Sequence, residues 1–310
     1  MMRNLYTFHA GEKAVQLRAN EAGMAMRNAP VIADTIVGGA KSFIAQQFMV
    51  VLASVDSNGA VWSSVLYGRP GFMHTEDNAL VHIDMPDQAR DLTDPFWNNI
   101  LHDATVGMLF IELGSRRRYR INGQVQRHND AGITIAVEEA FPNCPKYIQK
   151  RQLRQMGEAA GDHALQTGTH ISHEIASLIR DADTFFVASL NAEKGADASH
   201  RGGERGFVQI VNDHTLRVPD FHGNSLFNTL GNIETNPNAG ICIPDFEGQQ
   251  LLQLTGRARI LWDQDDPHHL TGGTHRFWEF EVDQWLLRAV AQLDWEYLDA
   301  SPYNPPAKRD

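Results

Sequence analysis

The chain repeats itself once along its length, and this feature constrains its fold more than any other. The stretch VVLASVDSNGAVWSSVLYGRPGFMHTEDNALVHID at residues 50–84 can be laid over FFVASLNAEKGADASHRGGERGFVQIVNDHTLRVPD at residues 185–220. The correspondence continues from residues 94–126 to residues 224–260, and the offset stays near 135 residues. Solenoid repeats are far shorter, at roughly 20–50 residues. The sequence therefore predicts a duplicated domain.

Each copy consists of short apolar segments that are separated by turn residues. Val, Ile, Leu and Phe dominate the segments, and Gly, Asn and Asp occupy the turns, for example at Gly59 and Gly195. This pattern is typical of antiparallel sheets and barrels. We expect a mainly β fold with added α-helices, in which residues 1–130 form an N-terminal domain with a leading helix and residues 183–310 form a C-terminal domain with a tail.

The segment that joins the copies, residues 131–182, predicts a helical connector. GITIAVEEAF and PKYIQKRQLRQMGEAA contain helix-forming residues, and Pro145 suits a first helical turn. SHEIASLIRDA starts with Ser172, a favoured N-cap residue, and continues with apolar residues at helical spacing. Beyond the second copy, GTHRFWEFEVDQWLLRAV predicts a further strand, followed by the extended stretch LDASPYNPP.

The charge balance and the cysteine count restrict the partners and the compartment. The chain has 38 acidic and 27 basic residues and a net charge of −11, whereas nucleic-acid surfaces are basic. No stretch approaches the roughly 20 apolar residues that span a bilayer, and MMRNLYTFHAGEKAVQ lacks the apolar region of a secretory signal. Two cysteines, Cys144 and Cys242, cannot form a disulfide scaffold. We expect a cytoplasmic protein that binds neither nucleic acid nor membrane.

Two polar stretches of the second copy have the composition of a phosphate site. In DASHRGGERGFV, Arg201 offers a guanidinium, Ser199 a hydroxyl, and Gly202 and Gly203 leave backbone N–H groups open to an anion. In PDFHGNSLFNTLGNIETNP, Ser225 could cap a short helix whose N-terminal amides attract phosphate. The same stretch adds polar side chains near that helix end: Asn224, Asn228, Thr229 and Asn232. The alternatives are a glycine bulge with a surface arginine, and plain capping and turn chemistry.

A cluster of four arginines lies in GSRRRYRING at residues 114–123. In a strand, Arg116, Arg118 and Arg120 share one face and Arg117 lies on the other. In so acidic a chain, this clustering indicates anion binding between the repeats. The alternative is a solvated edge strand that its charges protect from aggregation.

The stretch FPNCPKYIQKRQ places Cys144 beside Lys146 and Tyr147. A thiolate at a helix N-terminus with a neighbouring lysine is reactive, and the alternative is an inert, packed cysteine. The histidines, among them the adjacent His268 and His269, show no spacing that fixes a metal, and we expect no metal site. The P-loop, Rossmann and nucleophile-elbow motifs are missing from the sequence.

Several motifs resemble the pyridoxamine 5′-phosphate oxidase-like flavoproteins. The second copy carries the resemblance in GADASHRGGERGFV, GNSLFNTLGNIETNPNAG and LLQLTGRARI, and the first copy more loosely in WSSVLYGRPGF and ELGSRRRYRINGQV. With FHAGEKAVQLRA, CPKYIQ and ASPYNPP added, the resemblance covers the whole chain, which is similar to the two-barrel branch of the family. The resemblance implies two tandem FMN-binding split β-barrels that form a pseudo-dimer, with FMN between them.

The resemblance also implies which residues bind the cofactor. Ser199, Arg201 and the Asn228–Thr229 region would hold the flavin phosphate, and Gly202 and Gly203 would give the backbone room. Asn224 and Asn232 are further candidates for the same role.

In the first copy, the position of Arg201 falls at or near Val65, while Asn98 lies over Asn228. One complete site per chain is therefore expected. Two sets of first-copy residues would complete it. Trp62, Ser63 and Ser64 would reach it across the pseudo-dimer, and Arg117 and Arg118 would close over the phosphate or bind an acidic substrate.

The expected function is that of an FMN-dependent oxidoreductase acting on a small molecule. NAD(P)H or a partner reductase would supply electrons, and Cys144 and Tyr147 are the candidate substrate-side residues. The family's C-terminal substrate-binding arginine and histidine have no match in DQWLLRAVAQLDWEYLDASPYNPP, which argues against vitamin B6 oxidation. The alternatives are a flavin- or haem-binding sensor without turnover and a cofactor-free scaffold, and the whole chain could pair as a homodimer.

Overall fold

The computed structural model describes residues 7–157 and 165–307. Of these residues, 43% lie in antiparallel strands and 18% in short helices. The α-helices are α1 Ala10–Arg18, α2 Ala22–Asn28, α3 Gly38–Gln46, α4 Pro95–Asn99, α5 His173–Asp181 and α6 Asn228–Thr235. The strands are β1 Met49–Val55, β2 Val61–Tyr67, β3 Met73–His74, β4 Leu80–Asp84, β5 Thr105–Glu112, β6 Arg117–Asn129, β7 Gly132–Pro142, β8 Lys150–Met156, β9 Gln166–Gly168, β10 Thr184–Asn191, β11 Gly195–Gly202, β12 Gln209–Ile210, β13 Thr215–Pro219, β14 Asn238–Asp245, β15 Gln250–Leu261, β16 Phe277–Ala289 and β17 Leu293–Asp299.

The two main sheets have the same strand order, as the internal repeat predicts. The first sheet runs β2-β1-β5-β6-β7-β4-β3, and the second runs β11-β10-β14-β15-β16-β13-β12, with β9 added beside β16. Each strand of the first sheet therefore has a counterpart at the same place in the second. The expected mainly β fold with two tandem split barrels in one chain is confirmed.

The strand register makes the internal symmetry exact enough to compare single residues. Ala53 pairs with Gly107 in the first sheet, and Ala188 pairs with Gly240 in the second. On the neighbouring edge strands, Ser64 is opposite Leu52 and Ser199 is opposite Val187. This register makes Ser64 the counterpart of Ser199. It also places Leu66, one residue beyond the expected Val65, at the position of Arg201.

The shared G-x-x-G-F motif has a common packing role in the two barrels. A Cβ on Gly68 would lie 2.5 Å from the ring of Phe72, and a Cβ on Gly203 would lie 2.6 Å from the ring of Phe207. The phenylalanine of each copy thus packs directly on the glycine backbone. This contact requires glycine at position 203. The packing of Phe207 therefore explains Gly203, which we expected to give the backbone room beside a phosphate.

The predicted helical connector is wrong for most of its length. GITIAVEEAF lies in β7, which pairs with both β6 and β4 and completes the first barrel beyond residue 130. Lys150–Met156 forms β8, which pairs with β17 from the C-terminal tail. β6 forms a hairpin with β7, whereas β4 and β17 are distant in sequence from their partners, so sheet pairing overrides local helix propensity. Residues 158–160 of the predicted helix lie outside the described residues.

Two other local predictions are confirmed. The helix α5 starts after Ser172, whose Oγ accepts a hydrogen bond from the backbone N–H of Ile175 at 3.3 Å. GTHRFWEFEVDQWLLRAV contains the long strand β16. In the part of the chain that the structure describes, no helix has the length and apolar character that a membrane span requires.

Three main clusters of buried residues stabilise the fold. One lies within each barrel, around Phe110 in the first and Trp278 in the second. The third contains residues of both barrels, including Leu109, Phe186 and Cys242, all of which are fully buried. The barrels therefore share an apolar interface, and the seam along its edge brings strands of one barrel against strands of the other.

Candidate functional site

A cleft opens along the seam, where β6 of the first barrel approaches β11 and the start of α6 of the second. Residues of two loops, 143–147 and 220–227, line the rest of it. The cleft is open to solvent and encloses about 780 Å³ when the solvent at its mouth is included. Nine of the residues predicted to form the site line it: Arg118, Cys144, Tyr147, Ser199, Arg201, Gly202, Asn224, Asn228 and Thr229.

Arg120 connects the two barrels at the floor of the cleft. Its Nη1 lies 2.7 Å from the carboxylate of Asp197 and donates to Asn228 Oδ1 at 3.2 Å. Its Nη2 donates to Ser199 Oγ, which also accepts a hydrogen bond from Thr229 Oγ1 at 3.1 Å. These bonds hold the hydroxyl, the amide and the guanidinium at one point.

Positive charge exceeds negative charge around this point. Arg201 lies 3.9 Å from a carboxylate oxygen of Asp220, but Arg276 holds the other oxygen of the same carboxylate at 2.7 Å. One carboxylate therefore serves two guanidinium groups. Arg118 also lines the cleft and donates to carbonyl oxygens, with Nε donating to Cys144 O at 2.6 Å and Nη1 to His200 O at 3.5 Å. An anion would complete the charge balance of this cluster.

Several buried polar atoms of the cleft lack hydrogen-bond partners among the described residues. They are Nε of Arg120, Nε of Arg201 and both ring nitrogens of His200. Buried polar groups are almost always paired in native proteins, so such a concentration needs an explanation. Burial lowers the pKa of His200 well below its ordinary value, and the neighbouring arginines add to this. Burial, together with Arg120 and Arg201, also lowers the pKa of Arg118, to about 9. The guanidinium groups remain charged at neutral pH and the imidazole is neutral.

The N-terminus of α6 opens into the same cleft. None of the described side chains caps this helix, and its first three residues line the cleft. The preceding Phe227 and Ser225 have left-handed backbone, with φ of 61° and 63°. Such strain is concentrated at ligand sites in many proteins. The predicted capping by Ser225 is wrong, because its hydroxyl donates to Glu21 Oε2 at 2.5 Å. The helix end itself remains suited to an anion.

A buried carboxylate supports the cleft from behind. Glu12 Oε1 accepts a hydrogen bond from Asn228 Nδ2 at 2.7 Å, while the oxygen of the same amide accepts from Arg120. The helix α1 can bring Glu12 this close because a Cβ on Gly11 would lie 2.0 Å from Gly231 O, so only glycine fits there. Burial raises the pKa of Glu12 to about 7. Asn228 therefore has a fixed orientation between an acid and a guanidinium.

Cys144 and Tyr147 lie in the loop between β7 and β8, on the outer side of the cleft. The helix that was expected after Cys144 is replaced by this loop and β8, so the helix-based argument for a reactive thiolate is wrong. Tyr147 OH donates to His222 O at 2.8 Å, and its ring packs against Phe221 with centroids 4.9 Å apart. Burial, with Cys144 and Asp220, raises the pKa of Tyr147 to about 12. The phenol thus stays protonated and acts as a hydrogen-bond donor.

Three further predicted residues lie outside the cleft lining. Gly203 packs on Phe207, as described above. Asn232 is buried in α6 and donates to Ser189 Oγ at 3.0 Å. Arg117 lies on the opposite face of β6 from Arg118 and stacks over the ring of Phe43 at 4.7 Å.

Trp62, Ser63 and Ser64 do not complete this cleft. They belong to the counterpart seam, where β2 of the first barrel meets β14 and β15 of the second. Ser64 Oγ accepts a hydrogen bond from Gln253 Nε2 at 3.1 Å, and Trp62 Nε1 donates to Asp56 at 3.4 Å. The pseudo-twofold relation explains the error, since each seam takes its edge strand from a different barrel.

The counterpart seam has different residues at three of the polar positions of the cleft, those of Arg201, Asn228 and Arg120. Asn99 donates to Ser54 Oγ just as Asn232 donates to Ser189 Oγ, which aligns α4 with α6. In this alignment Pro95, and not the expected Asn98, takes the position of Asn228. Gln253 stands where the cleft has Arg120. The counterpart residues cannot provide an equivalent set of anion-binding donors.

An internal carboxylate fills the counterpart seam. Asp94, the N-cap of α4, accepts hydrogen bonds from Ser64 Oγ at 2.5 Å and from the backbone N–H of Phe96 at 2.9 Å. Arg288, whose Nη1 also contacts Asp91 at 2.6 Å, donates to the other oxygen of Asp94. The equivalent groups in the cleft are Ser199 Oγ and the N–H groups at the start of α6. Asp94 therefore marks where an anion would lie in the cleft.

Sequence reasoning placed Arg120 in an anion-binding arginine cluster, but it did not assign Arg120, His200 or Asp197 to the cofactor site. The two-residue strand period did place Arg120 on the face of Arg118, and this signal was enough to prefer it over Arg117. His200 and Asp197 flank Ser199 on an edge strand, and their burial follows only from the docking of the second barrel.

The comparison with sequence families gives the class of protein. The family described as pyridoxamine 5′-phosphate oxidase matches the chain twice, at residues 38–159 and 171–288, which together are well over half of it. The chain belongs to the pyridoxamine 5′-phosphate oxidase family, and it carries two copies of the family domain. Among curated proteins, none shows a significant sequence match.

Solved structures similar to this chain correspond to about two fifths of it. HupZ from Group A Streptococcus is 18% identical, with 42% of this chain and 98% of that chain covered and a TM-score of 0.29. A protein related to general stress protein 26 from Clostridium acetobutylicum is 10% identical, with 40% and 92% covered and a TM-score of 0.29. A FAD-binding protein from Mesorhizobium loti is 11% identical, with 42% and 98% covered and a TM-score of 0.28.

Proposed function

We propose that the cleft binds FMN and that the protein is an FMN-dependent oxidoreductase acting on a small molecule. The observation that carries the proposal is the concentration of unpaired cationic and N–H donors where Ser199, Arg201 and the start of α6 meet. Membership of the pyridoxamine 5′-phosphate oxidase family supports a flavin as the ligand.

The donor set fits a phosphate monoester. Arg201 would supply a guanidinium, Ser199 and Thr229 hydroxyl groups, and α6 its first backbone N–H groups. The counterpart seam supports this assignment, because Asp94 already satisfies the corresponding serine and helix N-terminus there. Gly202 lets the strand pass close to the loop of Tyr147, since a Cβ would lie 2.1 Å from Tyr147 O.

The remaining walls suit a flat, partly apolar group with a substrate beside it. Phe221 and Phe227 line the cleft together with Tyr147, and Arg276 lies over the Phe227 ring at 4.9 Å. Bound FMN supplies hydride or single-electron transfer, while the protein supplies binding and electrostatics. In this proposal Tyr147 and Cys144 face the substrate side, where the phenol oxygen of Tyr147, whose proton His222 O already accepts, would accept a hydrogen bond from a ligand.

The proposal gives one flavin per chain. The cleft contains the complete donor set, whereas the counterpart seam has Leu66, Pro95 and Gln253 at the equivalent positions, and Asp94 neutralises Arg288 there. Reducing equivalents would come from NAD(P)H or from a separate reductase.

Replacement of Arg201 by alanine tests the binding site. Arg205→Ala is the matched control, because Arg205 is close in sequence but exposed and paired with Glu247 at 3.0 Å. Hydrogen bonds to charged groups contribute about 1.5–3 kcal/mol, so Arg201→Ala should weaken FMN binding roughly 10- to 100-fold. The affinity is measured by quenching of flavin fluorescence. Unchanged affinity in Arg201→Ala would show that the phosphate assignment is wrong.

Turnover is tested separately on the purified protein. Its absorbance shows whether flavin or haem is bound, and reduction by light, NADH or NADPH followed by exposure to air shows whether the flavin cycles. Flavin absorbance and reoxidation support the oxidoreductase. A haem Soret band, or a flavin that none of these reductants reduces, would favour the alternative of a binding or sensing module.

A further inference from the structure

A group of three potential metal ligands lies on the second barrel, formed by different residues from those of the FMN cleft. His170 precedes α5, and Asp213 and His214 lie in the turn between β12 and β13. One ligand atom from each residue lies within 4.8 Å of the other two. Residue spacing does not indicate this group, because the two segments are far apart in the chain and meet only in the folded barrel.

Backbone hydrogen bonds fix the positions of these ligands. The N–H of Ile171 donates to Asp213 O at 2.7 Å and ties the two segments together. The carbonyl of His170 accepts from Trp285 Nε1 at 2.8 Å, and that of His214 accepts from the backbone N–H of Val282 at 2.7 Å. Both histidines are thus anchored to strand β16.

The distances between the three side chains are compatible with ligands of one ion. His214 Nε2 lies 3.8 Å from Asp213 Oδ1, which is too long for a hydrogen bond. Bond lengths near 2 Å place two ligands of one metal about 3.3–4 Å apart. The two imidazole rings are 4.3 Å apart between centroids. The distance between nitrogen and carboxylate is thus compatible with two ligands of one ion.

One further contact resembles the outer shell of metal sites. Thr169 Oγ1 lies 2.8 Å from His170 Nδ1. Metal-bound histidines commonly hydrogen-bond through the ring nitrogen that does not hold the metal, which fixes the ring and its tautomer. The contact with Thr169 leaves His170 Nε2 as the ligand.

We propose that His170, Asp213 and His214 form a binding site for a divalent transition metal, with Zn²⁺ as the reference ion. Two imidazole nitrogens and one carboxylate oxygen are a ligand set that zinc accepts, with water at the open fourth position. The site is exposed at His170 and Asp213, so an ion can enter from solvent. The bound ion crosslinks the β12–β13 turn to the start of α5.

The test is a zinc titration of the full-length chain without a histidine tag, in competition with a chromophoric zinc indicator. The wild type should bind one Zn²⁺ per chain. Loss of even an outer-shell partner typically costs about 10–100-fold in affinity, so the double variant His170→Ala/His214→Ala should lose at least about 100-fold. Asp213→Asn should fall between them. The matched control is His102→Ala/His268→Ala, which removes two exposed histidines outside the cluster and should bind like the wild type.

Thermal unfolding provides the second readout. Zn²⁺ should raise the Tm of the wild type and of the control variant, because an ion that binds only the folded state stabilises it. It should leave the Tm of His170→Ala/His214→Ala unchanged. A wild type that binds zinc no more tightly than this double variant would overturn the proposal, as would equal losses in the control. Neither result depends on flavin binding.

Discussion

The carboxylate of Asp94 offers a direct way to test how the counterpart seam is held together. Asp94 is fully buried in its side chain and contacts Ser64, the N-terminus of α4 and Arg288. Asp94→Ala removes the main partner of a buried guanidinium and a helix cap at once. Breaking a buried ion pair costs about 3–5 kcal/mol. Arg288 keeps its bond to the half-exposed Asp91, so we expect a loss near the lower limit, about 3 kcal/mol.

The assay is urea unfolding followed by tryptophan fluorescence and far-UV circular dichroism. Asp91→Asn serves as the control, because it removes a more exposed partner of the same arginine and should cost about 1 kcal/mol or less. Asp94→Ala/Arg288→Met should recover part of the loss, since it removes the unpaired charge as well.

Inorganic phosphate should rescue Asp94→Ala, because the variant exposes a serine, a helix N-terminus and an arginine to an outside anion. The gain in stability should be larger in the variant than in the wild type at equal phosphate and ionic strength. This comparison removes the general stabilising effect of phosphate on folded proteins. A loss below about 1 kcal/mol, or equal rescue in both proteins, would refute the assignment of Asp94 as an internal substitute for a bound anion.

Two further substitutions probe the support of the cleft. Burial raises the pKa of Glu12 from 4.5 to about 7, so between these pH values the folded state binds this proton while the unfolded state has released it. The free energy of unfolding should therefore fall by about 3 kcal/mol as the pH rises from about 4.5 to above 7. Urea unfolding at pH 5 and pH 8 measures this decline, which should be smaller in Glu12→Gln. A decline of the same size in the variant would contradict the role of Glu12. Gly202→Ala should displace the loop of Tyr147 and weaken FMN binding about 10-fold or more. Gly39→Ala in α3, which lies outside the cleft lining and whose Cβ would meet no described atom within 4 Å, should not weaken it. Equal affinities in a fluorescence titration would show that the close approach at Gly202 is unimportant.

The internal repeat was the most informative sequence feature. It predicted the duplicated β fold, and the second copy placed Ser199, Arg201 and Asn228 at one site. The polar composition around Asn228 pointed correctly to a helix end, although the cap itself was misassigned. These features are local or repeat in the sequence, so one chain is enough to recognise them.

The remaining features depend on contacts between distant segments. β7 contains good helix formers, yet it lies between β6 and β4 because both strands need a partner. Ser64 was assigned to the wrong seam, because a linear alignment does not show which barrel contributes which edge. Asn98 was aligned with Asn228 where the structure aligns Pro95, because a short helix permits a shift of the alignment by a few residues. The group around His170 arises only where two loops meet.

The central claim is that the seam binds one FMN through its phosphate. Calorimetric titration of the flavin-free protein with FMN, and then with riboflavin, tests this directly. We predict one FMN per chain and an affinity for riboflavin that is at least about 100-fold weaker, since riboflavin lacks the group that the arginines and the helix N-terminus would bind. Two FMN per chain, or equal affinity for the two flavins, would contradict the account.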